Sequence, residues 1–282
     1  MRVVRTRVPA TTANVGPGFD CLGIALRIYN WITVQREGID EADGMIEAAC
    51  SAFFNRTGVA PFPVRCKISG EVPRARGLGS SVTVRLGVLH GVNELAGSPL
   101  RREEVFRLCA ELEGHPDNAA PAAFGGFTIA RAQGTLQRYR VDRKLAFVLL
   151  IPDFEVSTTD ARRVLPGSIA FGDAVASVSN ACAIAGAFAT RDYEKLVGCF
   201  EDRLHQPYRA PLVPFLGPVI EAGRAAGALG GWLSGSGSTV ACVTLANPEA
   251  VAAAMLAASQ LPGARVITTR ADNAGVRVSI RN

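Results

Sequence analysis

The chain has 282 residues, 48% of them hydrophobic and 20% charged, with a formal net charge of +5. That is the composition of a soluble globular protein with one large or two ordinary domains, long enough to bury a core without covalent staples. Its seven cysteines are odd in number, widely spaced and without a C-x-x-C pair, which argues against a disulfide framework or a zinc site.

The N-terminal residues carry basic side chains but no apolar segment after them, so no signal peptide is expected. Strands are predicted at 3–8, 31–34 and 64–68, where apolar and polar residues alternate. Residues 82–95 are apolar nearly all round and read as a buried helix stopped at Gly97. Ser98 and Pro99 predict the cap and first turn of a second helix, with Val105, Leu108, Cys109 and Leu112 facing inward. Its end is expected at Glu113-Gly114. Strands follow at 125–129 and 145–151.

The longest apolar stretch, 168–190, contains Asp173, Asn180 and several serines; a buried helix suits it better than a membrane span. Further helices are predicted at 192–204, 219–229 and 248–261, and strands at 240–245, 266–269 and 276–280. No repeat and no low-complexity linker divides the chain, and a boundary is expected near the strand 145–151. The arginine excess is dispersed, without a basic block interleaved with aromatics, so no nucleic-acid partner is expected. Dispersed arginines fit an enzyme that handles phosphates or carboxylates, and also plain solvated surface, which is the expectation for Arg74 and Arg76.

Four segments carry chemistry. The strongest is Pro73-Arg74-Ala75-Arg76-Gly77-Leu78-Gly79-Ser80-Ser81, which follows a strand and opens a helix. Glycines admit phosphate close to the backbone, successive N–H groups form an anion nest, and the helix start adds partial positive charge. It lacks the Gly-Lys-Ser/Thr of a Walker A loop, and an ordinary Gly/Ser turn stands beside the phosphate reading. The second is Asn14-Val15-Gly16-Pro17-Gly18-Phe19-Asp20, a ligand-holding turn or simply an Asx-turn. Third, Glu113-Gly114-His115-Pro116-Asp117-Asn118 gathers four groups capable of proton, metal or hydrogen-bond chemistry at a helix end. Last is Ser234-Gly235-Ser236-Gly237-Ser238, a glycine-serine loop before a strand.

In this order and spacing the four segments resemble the motif set of the GHMP kinases. With Val156-Ser157-Thr158-Thr159-Asp160-Ala161-Arg162, Gln206-Pro207-Tyr208-Arg209 and the tail 272–278 they resemble most the branch that phosphorylates homoserine. The resemblance covers nearly the whole chain. It implies an α+β fold in two parts: an ATP-binding half, 1–145, like domain 2 of ribosomal protein S5, and a ferredoxin-like half, 146–282. It implies ATP held by Gly77, Leu78, Gly79 and Ser80, with Pro73 in the same segment, and closed over by Gly235, Ser236 and Gly237. Mg²⁺ is expected on Ser81 and Glu113, as suits a cation that prefers oxygen.

L-homoserine is expected among Asn14, Asp20, His115, Asp117, Asn118 and Thr158. Asp20 meets its ammonium in this reading, and Arg162 and Arg209 clamp its carboxylate. Catalysis is assigned to Asn118 and Arg162 through transition-state stabilisation, with Asp117 as the alternative general base. The implied context is threonine biosynthesis, in a cytoplasmic homodimer without a membrane partner. Two rivals stay open: another acceptor such as threonine, shikimate or a mevalonate derivative, and a non-catalytic ligand-binding regulator. Three departures from the family pattern stand out: Val82-Thr83 after the phosphate loop, Ser238 in place of a proline, and no asparagine around 43–46.

Overall fold

A computed structural model describes residues 2–36, 44–131 and 135–281. In chain order the strands are β1 (Val3–Ala13), β2 (Leu22–Gln35), β3 (Arg65–Gly70), β4 (Phe127–Ala130), β5 (Leu136–Tyr139), β6 (Ala146–Ile151), β7 (Gly230–Leu233), β8 (Val240–Thr244), β9 (Arg265–Thr269) and β10 (Arg277–Arg281). The helices are α1 (Gly44–Thr57), α2 (Ser80–Leu95), α3 (Arg102–Glu113), α4 (Ala119–Phe124), α5 (Thr158–Arg163), α6 (Phe171–Thr190), α7 (Gln206–Arg209), α8 (Leu216–Ala225) and α9 (Pro248–Ser259).

Two antiparallel sheets form the frame. The first has the order β10-β1-β2-β4-β5, with β3 also pairing with β2, and the second the order β7-β8-β6-β9. The second sheet with α8 and α9 gives the sequence β6-α8-β7-β8-α9-β9, the ferredoxin-like split βαβ arrangement. The α+β expectation therefore holds, and β10 returns from the end of the described chain to pair with β1.

Period-two alternation assigns each face. In β6, Phe147, Leu149 and Ile151 join the core between the sheets, whereas Val148 and Leu150 join the core under α8 and α9. In β1, Val4 and Val8 face the core under α1 to α4, but Ala10 faces the core between the sheets. The switch coincides with the register shift between Pro9 and Ala10, where Pro9 pairs with Tyr29 but Ala10 with Leu26, leaving Arg27 and Ile28 of β2 as an irregularity that re-aims the later side chains. The bulge thereby sends one strand through two cores and delivers Thr11 and Thr12 beneath the phosphate loop.

Three expectations are corrected. The helix expected from Ser98 begins at Arg102. Asn93 accepts from Leu100 N and donates to Leu100 O, both at 3.0 Å, and clips 98–100 into a turn. The true start is closed by Glu104, whose carboxylate accepts the Arg101 N–H at 2.8 Å. The stretch 192–204 holds only a 3-10 turn, Tyr193–Leu196. There Asp202 accepts the N–H groups of Leu204, His205 and Gln206 and starts α7 instead.

The third correction concerns α6, which forms as expected but is not buried. Ser177, Ile184, Ala187 and Phe188 seat it on the core, while Val175 and Val178 stand 53% and 61% exposed. Its outward face carries Phe171 and Cys182 beside glycine, alanine, serine and valine, and so apolar a composition gave no sign of its exposure. By length and composition α6 could cross a bilayer, although its inner face is packed on this core.

Candidate active site

All four sequence segments meet around one cavity of about 880 Å³. Its size lies at the upper end for small-molecule sites, room for a nucleotide together with a small acceptor.

The phosphate loop enters α2 through Gly79, a left-handed residue (φ 66°) that caps the helix without a side-chain hydrogen bond. No acidic residue sits in the first turn, so the free N–H groups of that turn keep their positive end for an anion. A Cβ on Gly79 would stand 2.1 Å from Thr11 Oγ1, and one on Gly77 (φ 71°) 2.0 Å from Ser234 O. Both glycines are thus demanded by backbone conformation and by neighbours. Gly77, Gly79, Ser80 and Ser81 line the cavity; Leu78 is fully buried below it and its carbonyl accepts the Thr11 N–H at 3.1 Å.

Pro73 lines a smaller neighbouring cavity of about 440 Å³ instead, with Arg74 and Asp153. Arg76 is no solvated surface residue. Its side chain is 13% exposed, donates to Pro152 O at 3.0 Å and pairs with Glu155 at 3.1 Å, tying the loop to the second half of the chain.

Ser81 and Glu113 come together as expected: the hydroxyl donates to Glu113 Oε2 at 3.0 Å. Sequence reasoning missed Arg85, one turn further along α2, which pairs with Glu113 Oε1. The i, i+4 spacing from Ser81 was the available signal. A hydroxyl and a carboxylate oxygen on the cavity wall fit a hard cation that takes its remaining ligands from water and phosphate.

His115, Asp117 and Asn118 form one buried network. Asp117 Oδ1 accepts from His115 Nδ1 at 2.6 Å, from Asn118 N at 2.9 Å and from Asn118 Nδ2 at 3.3 Å. Asn118 Oδ1 in turn accepts from Thr11 Oγ1 at 2.6 Å. Burial alone would lower the pKa of His115, but the hydrogen bond and charge of Asp117, helped by Asp20, outweigh it and raise it. Asp20, His115 and Asp117 also present ligand atoms within 4.8 Å of one another.

The arginine pair arrives from α5 and α7. Arg162 makes a bidentate pair with Asp20, Nη1 to Oδ2 at 3.0 Å and Nη2 to Oδ1 at 2.7 Å, which lifts its pKa above the ordinary value. Arg209 is 2% exposed, and burial with the nearby Arg162 charge brings it down to about 10, so it stays charged at neutral pH. Phe19 lies between them, its ring centroid 5.5 Å and 5.1 Å from the two guanidinium carbons. Asn14 and Thr158 line the cavity as expected.

Of the third glycine loop, Gly235 and Ser236 line the cavity, whereas Gly237 packs toward Leu233 and Val213. Gly235 O accepts from Asn14 Nδ2 at 3.0 Å and from Arg209 Nη1 at 3.1 Å. Asp43, part of the segment lacking the expected asparagine, lies outside the described residues; Met45 beside it lines the cavity.

A nucleotide-sized cleft with a glycine cradle, an adjacent oxygen pair and a charged acceptor pocket is the apparatus of a small-molecule kinase. Family comparison agrees: residues 44–126 match the GHMP kinases N terminal domain and 184–260 the GHMP kinases C terminal domain. The chain belongs to the GHMP kinase family.

Within it, relatives similar over most of the chain include homoserine kinases. That of Microchaete diplosiphon is 40% identical, with 96% of each chain covered, and that of Moorella thermoacetica 38%, with 92% of this chain and 93% of the relative covered. The crystal structure of homoserine kinase from Cytophaga hutchinsonii superposes with a TM-score of 0.89 at 25% identity, covering 98% of this chain and 97% of that one. A mevalonate kinase structure shares the fold at a TM-score of 0.72 and 14% identity, over 95% of this chain and 99% of that one.

Proposed function

We propose that this protein is an ATP-dependent kinase that phosphorylates the side-chain hydroxyl of L-homoserine, giving O-phospho-L-homoserine for threonine biosynthesis. The observation that carries the acceptor assignment is the Asp20–Arg162 pair beside Arg209 in one cavity with the phosphate cradle. An α-amino acid is a zwitterion and can replace the internal pair charge for charge. Its ammonium joins Asp20 and its carboxylate joins the guanidinium groups, a planar bidentate match.

In the reaction the bond from Pγ to the β,γ-bridging oxygen breaks with ADP as the leaving group, a bond from the acceptor oxygen to Pγ forms, and the hydroxyl proton passes to an oxygen of the transferred phosphoryl group and on to water. Gly77, Gly79, Ser80 and the start of α2 orient the phosphates, and Gly235 and Ser236 close over them. Ser81 and Glu113 would hold Mg²⁺, which when bound neutralises phosphate charge. Asp117 Oδ1 already accepts three donors and the residue is 2% exposed, which supports a positioning role over a general base. Asn118 then serves by orienting the acceptor, in keeping with phosphoryl transfers that depend on placement and charge. We assign the ATP-binding part to 1–145 and the ferredoxin-like part to 146–282, whose last strand, β10, crosses back to the first sheet, with a cytoplasmic homodimer as the working state.

The test is ADP release with Mg²⁺ and homoserine, threonine, shikimate or mevalonate. Turnover is expected with homoserine above all; ATP binding without turnover of any acceptor would favour the regulator. Asp117→Ala losing turnover with homoserine binding intact, while Asn118→Ala keeps it, would reinstate the general base.

A further inference from the structure

Arg209 is fastened in an unusual way for a buried cation. Its Nε donates to Ala161 O at 2.9 Å, and its Nη1 to Gly235 O at 3.1 Å and His205 Nδ1 at 3.3 Å. All three acceptors are uncharged. The nearby carboxylates are bonded elsewhere: Asp20 to Arg162, Asp117 to His115 and Asn118, and Asp202 to three backbone N–H groups. Among the described residues Nη2 has no hydrogen-bond partner. A guanidinium fixed through Nε and Nη1, with no carboxylate bonded to it, leaves Nη2 as a charged donor for an anion.

His205 is the one side chain among the three acceptors, and its state is dictated from both sides. Its Nε2 lies 2.9 Å from Gly16 O and must carry the proton to donate there. Nδ1 is therefore the lone-pair nitrogen facing Arg209. Asp202 lies 3.4 Å from Nε2, yet burial comes first in lowering the His205 pKa, and the Arg209 charge lowers it further. The ring is fully buried, with Phe19 at 5.2 Å between centroids.

We propose that His205 is a positioning residue: as a neutral acceptor it fixes the Arg209 guanidinium toward the substrate carboxylate without neutralising it. The proposal rests on the acceptor reading given above, and deepens it by naming what makes Arg209 a carboxylate seat. A carboxylate at 205 would hold the arginine as firmly but consume its charge. The histidine also links the seat to the Gly16 turn, which carries Phe19 and Asp20.

The experiment compares KM for L-homoserine, KM for ATP and, by calorimetry, the preference for homoserine over homoserine amide, which lacks the carboxylate charge. The variants are Arg209→Leu, His205→Leu, His205→Asn and His205→Gln, with thermal melting to confirm folding. Asparagine places its amide near the Nδ1 position and can still accept from Arg209; glutamine reaches the Nε2 position and keeps the bond to Gly16. Expected are a homoserine KM raised about tenfold or more in His205→Leu, an unchanged KM for ATP, and a diminished preference over the amide. His205→Asn should restore most of that preference and His205→Gln should not.

A His205→Leu enzyme with normal homoserine KM, beside an Arg209→Leu enzyme that has lost it, overturns the positioning role alone. So does rescue by glutamine in place of asparagine. An Arg209→Leu enzyme that keeps its preference for the carboxylate overturns the acceptor reading, and the role of His205 with it.

Discussion

The cavity offers two contrasting kinds of anion site. At the phosphate loop the donors on offer are backbone, and side chains matter mostly by being absent: Gly77 and Gly79 have no room for a Cβ. At the acceptor pocket the contacts come from side chains, Asp20, Arg162 and Arg209, each set by partners from distant parts of the chain. A backbone cradle is local and generic, so it serves any nucleotide-dependent relative. A pocket of charged side chains is assembled from far-apart segments and can be specific.

The sharpest way to break this contrast is to put a side chain where the backbone rules. Gly77→Ala is expected to abolish ATP binding and to cost about 3 kcal/mol of stability, read by calorimetry and melting. Its Cβ meets Ser234 O, a backbone atom that cannot swing away. Next comes Glu113→Gln, expected to lower kcat/KM on the order of 100-fold and to raise the Mg²⁺ needed for half-maximal rate.

Arg162→Met tests the other side. The homoserine KM is expected to rise about 30-fold with the ATP KM unchanged, allowing for partial solvent screening of a side chain 38% exposed. A parallel rise in the ATP KM would show that the two regions are not separate.

Smaller effects sharpen the picture. Arg85→Met removes the cation that competes for Glu113 Oε1 and is expected to lower half-saturating Mg²⁺ about threefold. An unchanged value would mean that the pair is only structural. The smallest effect is in pH. The raised pKa of His115 means that its pairing with Asp117 stabilises fully below the ordinary value of 6.5 and is lost as pH rises through the folded value. His115→Gln should flatten the melting temperature against pH across that interval, and a slope equal to the parent's would assign it to other groups.

The same contrast explains what was legible in the sequence. A glycine-serine turn opening a helix could be read from five consecutive residues, because glycine and serine signal backbone demands locally, and family resemblance decided between a plain turn and a phosphate loop. The strands 3–8, 145–151 and 240–245 were legible by alternation or apolar runs, and β2 only in its last third. Its first part changes faces, as does β1 at Pro9, and a single periodicity cannot span that reversal. The pairing of Asp20 with Arg162, residues 142 positions apart, has no local signature; only resemblance to a family brought the segments together. Arg76 and Arg85 were invisible for a related reason, since an arginine in sequence looks the same whether it is solvated or turned inward onto a carbonyl or a carboxylate.

The Gly235 carbonyl takes one bond from Asn14 and one from Arg209, and the Gly235 N–H returns one to Ala13 at 3.2 Å. This joint between the first motif and the carboxylate seat is made of main chain. Exchange of one side chain for another at 235 leaves those atoms in the polypeptide, subject to a left-handed φ of 55°. Changing the number of residues between Leu233 and Val240 does not. The segment should therefore accept variation in spelling far better than variation in length, and a one-residue insertion there should uncouple the two motifs without altering any residue that either contributes.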